Sequence, residues 1–536
     1  MQRLILGLSL TVAFCTIATL DAVAADPCPR PNSGAVVARP PDLHSQNGVL
    51  KVVFHYVTSV DGVGRTLFCF KTPDGLESPT LHVRPGDTLD VTVTNDVPAL
   101  PPGSPTEIVS DASNVCGDKT MTGTSVNMHF HGTNTSPKCH GDQVIHTIIN
   151  SGQTFHYALQ FPNDEPPGLY WYHPHVHGIA DGAVLGGASG AIVVEGIQHL
   201  QPAVAGLRER ILVIRDQNVG AAPVVGQQVP AWDVSLNYVP IAYPAYAPAI
   251  LHTKPGRQEL WRVVNAASDT IMDLQLRFDG IAQPLQIVGL DGVPTGSQDG
   301  SRRGHIVTVT HILIPPAGRA EFIVNTPPAS VGTAVLVTQY VNTGPGGDYD
   351  PERPLALLQE TSEADDTSVI SSNTGSPWPQ RFEGLDRERV SANRKLYFSE
   401  VLSDPTNPAS PTNFFLTVDG ATPVLFDPAN PPAITTTQGS TEDWTIENRS
   451  GEHHEFHMHQ IHFKLLKQNG LPVPADQRQF LDMIQVPFWS GTGPYPSVTV
   501  RMDFRGPDIG DFVYHCHILG HEDNGMMATI RVLPKS

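Results

Sequence analysis

The sequence predicts an all-β protein built of several tandem domains, and three observations support this fold class. Only 16% of the residues are charged, and the chain contains 47 glycines and 49 prolines, a composition typical of strands joined by turns. Apolar and polar residues alternate in short stretches such as LDVTVTN (89–95), GAIVVEG (190–196) and DFVYHCH (511–517). The third observation is a short pattern that occurs three times at long intervals.

This repeated pattern is a glycine followed by apolar residues five and seven positions later and by an asparagine nine positions later. Each copy is typical of a turn followed by a strand with one buried face. The copies lie 170 and 183 residues apart, which is too long for a solenoid repeat and fits three tandem domains of similar fold. They are Gly86-Val91-Val93-Asn95, Gly256-Trp261-Val263-Asn265 and Gly439-Trp444-Ile446-Asn448.

The chain length agrees with this division, because 536 residues exceed what one hydrophobic core holds. We expect domains over residues 25–200, 201–375 and 376–536, with the polar segment 361–393 as the linker into the third. GLYWYHPH (168–175) and GDFVYHCH (510–517) both place a glycine five residues before a His-x-His. The first and third domains are therefore expected to carry site chemistry, and the second to act as a spacer or wall.

The N-terminal segment MQRLILGLSLTVAFCTIATLDAVAAD has an early arginine, an apolar stretch and an Ala-Val-Ala sequence. Residues 1–24 are expected to be a secretory signal, cut after Ala24 or Ala25. A membrane anchor is the alternative, although the apolar stretch is short for a span. No later segment is apolar enough to cross a bilayer. The mature chain is expected in the periplasm or outside the cell.

The net charge of −20, without a dense run of Lys or Arg, argues against nucleic acid or an anionic membrane as partners. We expect a monomer.

The cysteine count leaves one thiol to be explained. Of six cysteines, Cys15 would leave with the signal, so five remain in an oxidising compartment. Four could form two disulfides; we favour Cys116 with Cys139 and Cys28 with Cys69, although the sequence does not fix the pairing. The surroundings of Cys516 suggest a different role.

Many of the 23 histidines fall in four clusters: NMHFHG (127–132), YWYHPHVHG (170–178), HHEFHMHQIH (453–462) and YHCHILGHEDNGMM (514–527). Each contains a His-x-His, and residues two apart on a strand point to the same face. Imidazole is a common ligand of zinc, copper and iron. The four pairs therefore predict a metal cluster; they are His129/His131, His173/His175, His457/His459 and His515/His517.

Cys516 stands between His515 and His517 and should face the opposite side of that strand, where its thiolate can bind a second metal. His454, His521 and Met526 supply further ligand candidates nearby in the sequence. Two histidines, one cysteine and a weak axial methionine are the ligands of a blue copper site, whereas zinc would not require the methionine.

These motifs resemble the multicopper oxidases, the family that includes laccases, ferroxidases and bacterial cuprous oxidases. Its four signatures, HxHG, HxH, HxxHxH and HCHxxxHxxxxM, occur here in order, and the resemblance spans the whole mature chain. Gln460 departs from the pattern, since many members have glycine there, but no ligand changes. The resemblance implies three tandem cupredoxin-like Greek-key β-barrel domains, with a cluster between the first and third.

The resemblance also implies four copper ions and assigns their ligands. Cys516, His454 and His521 would bind the type 1 copper, with Met526 axial; His129 and His457 would bind the type 2 copper. The type 3 pair would be bound by His131, His173, His175, His459, His515 and His517. Electrons from the donor would enter at His521 and cross Cys516 to the cluster, where dioxygen is reduced to water. We propose Asp142 and Glu522 as acids that deliver protons.

The electron donor is left open by the family resemblance. The nine methionines form no Met-rich run, which argues mildly against specialised Cu(I) handling, and Glu452 is more simply explained as a surface residue than as a cation ligand. We therefore favour phenols or aromatic amines, with a metallo-oxidase acting on Cu(I) or Fe(II) as the alternative. A copper-free scaffold is a remote possibility, because all expected ligands are present. A simple electron-transfer protein would leave eight histidines unexplained.

Overall fold

The computed structural model describes residues 26–109, 116–296, 304–361, 368–375, 380–407, 409–475 and 477–535. The expected signal segment, residues 1–24, lies outside the described residues. Nearly all regular structure is β-strand. The helices are short: α-helices Ala180–Leu185 and Leu519–Asp523, and 3-10 helices Ile197–His199, Pro202–Val204 and Leu385–Arg387. No helix in the described part is long and apolar enough to span a bilayer.

The first unit consists of two main sheets that enclose a core of aliphatic and aromatic side chains. The five-stranded sheet contains, in spatial order, Asp42–His44, Thr80–Val83, Gly190–Val194, Gly168–His173 and His129–His131. The four-stranded sheet contains Thr154–Gln160, Thr88–Asn95, Val49–Val60 and Thr66–Lys71. Two small ladders pair Thr147–Ile148 with Cys116–Gly117 and Thr106–Ile108 with Thr120–Thr122.

The second unit again has two sheets around one core. The larger sheet runs Val239–Ile241, Trp232–Leu236, Arg208–Asn218, Gln258–Asn265, Arg319–Asn325, Leu285–Leu290 and Val293–Pro294, with Val307–Val309 and Ser368–Val369 paired to its side. The smaller sheet runs Ala249–Thr253, Arg353–Glu360, Ala334–Thr338, Met272–Phe278 and Ile281–Ala282, with Ile312–Ile314 paired to Met272–Phe278.

The third unit repeats this arrangement, and its core includes Cys516 and Met526. One sheet runs Thr412–Val418, Val390–Leu402, Thr441–Asn448, Ser497–Asp503, Phe463–Gln468 and Leu471–Pro472, with Phe480–Leu481 paired to Phe463–Gln468. The other runs Ile434–Thr437, Met527–Leu533, Gly510–Cys516, His454–Met458 and Met483–Val486.

The repeated sequence pattern has the same structural role in all three units. Each copy forms a strand that pairs with a parallel neighbour on one side and an antiparallel neighbour on the other. The asparagines Asn95, Asn265 and Asn448 end these strands, and each side-chain amide donates to two backbone carbonyls at 2.7–3.1 Å. These bonds satisfy buried carbonyls in the connecting loops, which explains why asparagine recurs.

The predicted disulfides are both present, Cys28 with Cys69 and Cys116 with Cys139, and Cys516 is a buried free thiol. The three units share a buried apolar contact made by strands of the first two units together with Met483 of the third. Met483 lies opposite His457 on the neighbouring strand, so this contact is next to the histidine-bearing sheet of the third unit. The protein therefore has the predicted all-β fold with three tandem units.

Candidate metal centre

Strand pairing brings the four His-x-His pairs together two by two. In the first unit, His129–His131 runs antiparallel to the end of Gly168–His173, which places His129 opposite His173. In the third unit, His457 lies opposite His515 on neighbouring antiparallel strands. Each sheet therefore presents two pairs at one edge.

The two sheet edges meet, so that eight imidazoles form one buried cluster. The His129 ring stacks on His459 with centroids 4.0 Å apart, and His131 stacks on His457 at the same distance. His515 Nε2 lies 3.1 Å from His459 Nε2. All eight side chains are at most 1% exposed: His129, His131, His173, His175, His457, His459, His515 and His517.

The ring nitrogens of this cluster are arranged as a metal would require. The Nδ1–H groups of His129, His173 and His457 donate outward at 2.8–2.9 Å, to Asp142, to the Pro174 carbonyl and to the Asp482 carbonyl. The Nε2 atoms of the same three rings are buried without a hydrogen-bond partner among the described residues. Buried polar atoms without partners are costly, and fixed tautomers with inward lone pairs are the usual arrangement of metal ligands.

The cluster is also electrostatically suited to a cation. Burial lowers the pKa of His173 to about 3 and that of His175 to about 4, and the neighbouring imidazoles act in the same direction. These two rings are therefore neutral at pH 7, which is the form that binds metals.

A second group of ligand atoms surrounds Cys516. Its Sγ lies 3.6 Å from His454 Nδ1 and 3.9 Å from His521 Nδ1, and these two nitrogens are 3.2 Å apart. Met526 is fully buried in the same core, and its carbonyl accepts a hydrogen bond from the Cys516 amide at 3.0 Å. Neutral imidazoles, a thiolate sulfur and a buried thioether together fit copper.

The comparisons with known proteins agree with this geometry. A family profile described as Multicopper oxidase matches residues 399–536, and a second with the same description matches residues 119–199. Both matched segments contain the histidine clusters. The chain belongs to the multicopper oxidase family.

Similar proteins are known across much of its length. The oxidase is 23% identical over 552 residues to "Multicopper oxidase LPR1 homolog 1" of Oryza sativa subsp. japonica, covering 87% of this chain and 85% of that protein. It is 22% identical over 413 residues to "Laccase" of Bacillus subtilis (strain 168), covering 69% and 71% of the two chains.

A solved structure, "Multicopper oxidase from Campylobacter jejuni: a metallo-oxidase", superposes with a TM-score of 0.64 at 20% identity, over 94% of this chain and 96% of that one. This likeness supports the predicted fold of cupredoxin-like β-barrel domains. As a family member, the protein is an oxidoreductase that uses dioxygen.

Asp142 of the oxidase is buried beside the cluster. Its Oδ1 accepts from His129 Nδ1 and from the Phe130 amide, and its Oδ2 accepts from Gln460 Nε2 at 2.7 Å. Gln460 has a φ of 58°, a conformation that favours glycine. Many family members have a glycine here, which adopts this backbone conformation without strain. In this chain the position is Gln460, whose side chain instead contacts Asp142.

Glu522 occupies the other side of the cluster. Its carboxylate is fully buried, with one oxygen 3.1 Å from His515 Nδ1 and the other 3.5 Å from His175 Nδ1. Burial opposes ionisation of Glu522, but the adjacent imidazoles outweigh it and lower its pKa to about 2. Both acids singled out in the sequence thus touch histidines of the cluster.

The second unit contributes residues that the sequence did not point to. Arg319 forms a buried double ion pair with Asp482, whose Oδ1 is 3.3 Å from His131 Nε2. Asp291 accepts from the Arg319 amide, and its carbonyl accepts from His462 Nε2 at 2.9 Å. The second unit is therefore more than a spacer, and no motif or spacing marked these residues.

The interpretation of Glu452 as a surface residue was wrong. Its side chain is 13% exposed, and Oε1 lies 3.3 Å from His521 Nε2. Glu400 is placed in the same way on the other histidine, with Oε1 2.9 Å from His454 Nε2. Both histidines beside Cys516 therefore turn their outer nitrogens toward carboxylates.

Proposed function

We propose that His454, Cys516, His521 and Met526 would hold a type 1 copper, which would receive single electrons from a donor. His129 and His457 would bind a type 2 copper. Six histidines would bind the type 3 pair: His131, His173, His175, His459, His515 and His517. The observation that carries this proposal is the segment His515-Cys516-His517 at the end of strand Gly510–Cys516, because its consecutive residues belong to both groups of ligand atoms.

When bound, four coppers together supply the four electrons that reduce dioxygen to water. The chain supplies the path between the two groups. Cys516 is bonded through the backbone to both neighbouring histidines, and the His515 Nδ1–H also donates to the Cys516 carbonyl at 2.9 Å. Burial of all three residues excludes water from this path.

Protons would reach the cluster through its two acids. The Glu522 oxygens are buried without hydrogen-bond partners among the described residues, and they lie against His515 and His175. Because its pKa is low, Glu522 would stay ionised and pass protons from water to the cluster without retaining them. Asp142 accepts a hydrogen bond from His129 Nδ1 and would deliver protons from the side of the cluster opposite Glu522.

The test is oxygen uptake by copper-loaded protein together with copper content and the visible charge-transfer band. Cys516→Ser should lose the band and about one copper per chain, and donor oxidation should fall by several orders of magnitude because the path is broken. Met526→Leu should shift the type 1 reduction potential, whereas Met527→Leu, its buried neighbour, should leave it unchanged. A copper-free protein that cannot be reconstituted would contradict the proposal.

For the donor we propose a reducing metal ion, Fe(II) or Cu(I). Support comes from Glu452 and Glu400, whose carboxylates touch the outer nitrogens of His521 and His454. Carboxylate oxygens bind Fe(II) better than the soft Cu(I), so these contacts favour Fe(II) of the two, and they would hold it beside the ring that receives the electron. The Campylobacter jejuni protein with a similar fold is described as a metallo-oxidase.

Phenols or aromatic amines, which the sequence alone favours, are the second candidate. Phe414 stacks on the His521 ring with centroids 4.2 Å apart and offers an aromatic surface beside it. The Bacillus subtilis relative is described as a laccase.

Oxygen uptake with Fe(II), Cu(I) or a phenol as the donor distinguishes a metallo-oxidase from a phenol oxidase. Glu452→Gln combined with Glu400→Gln should raise KM for Fe(II) by about tenfold or more and change phenol oxidation by less than about twofold, because only a cation needs the carboxylate oxygens as ligands. Glu388→Gln, which removes an exposed carboxylate paired with Arg505, is the matched control. Uptake with the phenol alone would reverse our ranking.

A further inference from the structure

A second cluster of metal-ligating side chains lies on the first unit, outside the copper centre. The edge strand Asp42–His44 runs parallel to Thr80–Val83, with His44 directly opposite His82. Asp42 and His44 are two residues apart and so point to the same side as His82. Two imidazoles and a carboxylate thus converge at one edge of the sheet.

The distances are those of a ligand set. His82 Nε2 lies 3.1 Å from Asp42 Oδ1, and the His44 and His82 rings have centroids 4.3 Å apart. One ligand atom from each of the three residues can be chosen so that all lie within 4.8 Å of one another. Arg39 occupies the other carboxylate oxygen of Asp42, so Oδ1 alone faces the cluster.

His82 is oriented as metal-binding histidines usually are. It is 2% exposed, and its Nδ1–H donates to Glu195 Oε1 at 2.7 Å. A carboxylate that fixes the outer nitrogen in this way directs the inner lone pair toward a metal. In front of the cluster is a cavity of about 450 Å³, lined in part by His44, His82 and Glu195. An ion could therefore enter and keep water as a further ligand.

We propose that Asp42, His44 and His82 form a binding site for a divalent cation of the zinc class, separate from the copper centre. Two imidazoles, one carboxylate and open positions toward a cavity match the open zinc sites of proteins. The site goes beyond the proposed oxidase function, because none of its residues belongs to the copper ligands or contacts them in the described structure.

The experiment is equilibrium dialysis of the fully copper-loaded oxidase against zinc sulfate, with both metals counted per chain. We expect one zinc in addition to the full complement of copper. Asp42→Asn and His44→Ala should each weaken zinc binding by at least about tenfold, and Glu195→Gln by about 10–100-fold through loss of the His82 orientation.

His156→Ala is the matched control, since His156 is an exposed histidine of the same unit whose ring is paired with Asp90 at 2.8 Å. The neighbouring imidazole, His140, bonds to the backbone carbonyl of His156 and not to its ring. Copper content and the visible band should be unchanged in every variant, which separates this site from the proposed oxidase function. Absence of the extra zinc, or equal zinc binding by the Asp42 and His44 variants, would overturn the proposal.

Discussion

Arg319 of the second unit and Asp482 of the third form a fully buried ion pair through two parallel hydrogen bonds. Asp482 in turn lies 3.3 Å from His131 Nε2 and accepts from His457 Nδ1 through its carbonyl. The second unit contributes no histidine to the described cluster. Through Arg319 and Asp482 it nevertheless fixes two rings of the cluster, His131 of the first unit and His457 of the third.

Arg319→Met should destabilise the protein by about 3–5 kcal/mol, because it leaves the Asp482 carboxylate buried and unpaired. Copper content of the histidine cluster should fall with it. Arg277→Met removes an exposed pair with Glu352 in the same unit and should cost no more than about 1 kcal/mol. Denaturant unfolding and metal analysis test both variants; equal, small losses would show that the buried pair does not hold the units together.

Asp142→Asn should weaken copper binding at His129 or lower oxygen turnover by about 10–100-fold, because the carboxylate orients the His129 ring. If Asp142 also delivers protons, the pH profile of turnover should change at full copper occupancy. Gln460→Gly removes a hydrogen bond to Asp142 and relaxes the backbone, so it should shift the profile in the same direction with a smaller effect. Normal turnover of Asp142→Asn at all pH values would rule out its role.

Replacing Cys28 and Cys69 together with serine should lower the free energy of unfolding by about 2–4 kcal/mol, since the disulfide closes a chain segment with a sequence separation of 41. Copper content should be unchanged, because neither residue contacts the histidine clusters. Under reducing conditions the variant and the parent should converge. A difference that persists in reductant would point to packing of the buried sulfurs instead.

His82 predicts a pH dependence of stability in zinc-free buffer. Its folded pKa is raised to about 9 from an ordinary value near 6.5, chiefly by Asp42 and Glu195 against the effect of burial. Because the folded value is the higher one, the stabilisation is complete below pH 6.5 and is lost as the pH rises to 9. It amounts to at most about 3 kcal/mol.

Urea unfolding between pH 6 and 10 measures this dependence. His82→Gln should remove the fall in the free energy of unfolding between pH 6.5 and 9. The control is His55→Gln, which replaces an exposed histidine paired with Asp96 and should leave that fall in place. Identical curves for the parent and His82→Gln would contradict the assignment.

The sequence by itself determined the fold class and the residues that gather in the two ligand groups, whereas the disulfide pairing was settled by the structure. It could do so because these features are local. A His-x-His on a strand places two rings on one face whatever the fold, and the Gly-to-Asn pattern ends a strand in each unit with the same hydrogen bonds.

Only the tertiary structure decided which distant residues support those ligands. Asp482, Arg319 and Glu400 stand in no motif. Arg319 reaches Asp482, and Asp482 reaches His131, because separate units pack together, whereas Glu400 reaches His454 by packing within the third unit. Burial likewise changed the interpretation of Glu452, since a carboxylate in a loop has no sequence signal for the ring beside it. Contacts between units depend on how whole sheets pack, and that information is spread over many apolar residues instead of residing in a short pattern.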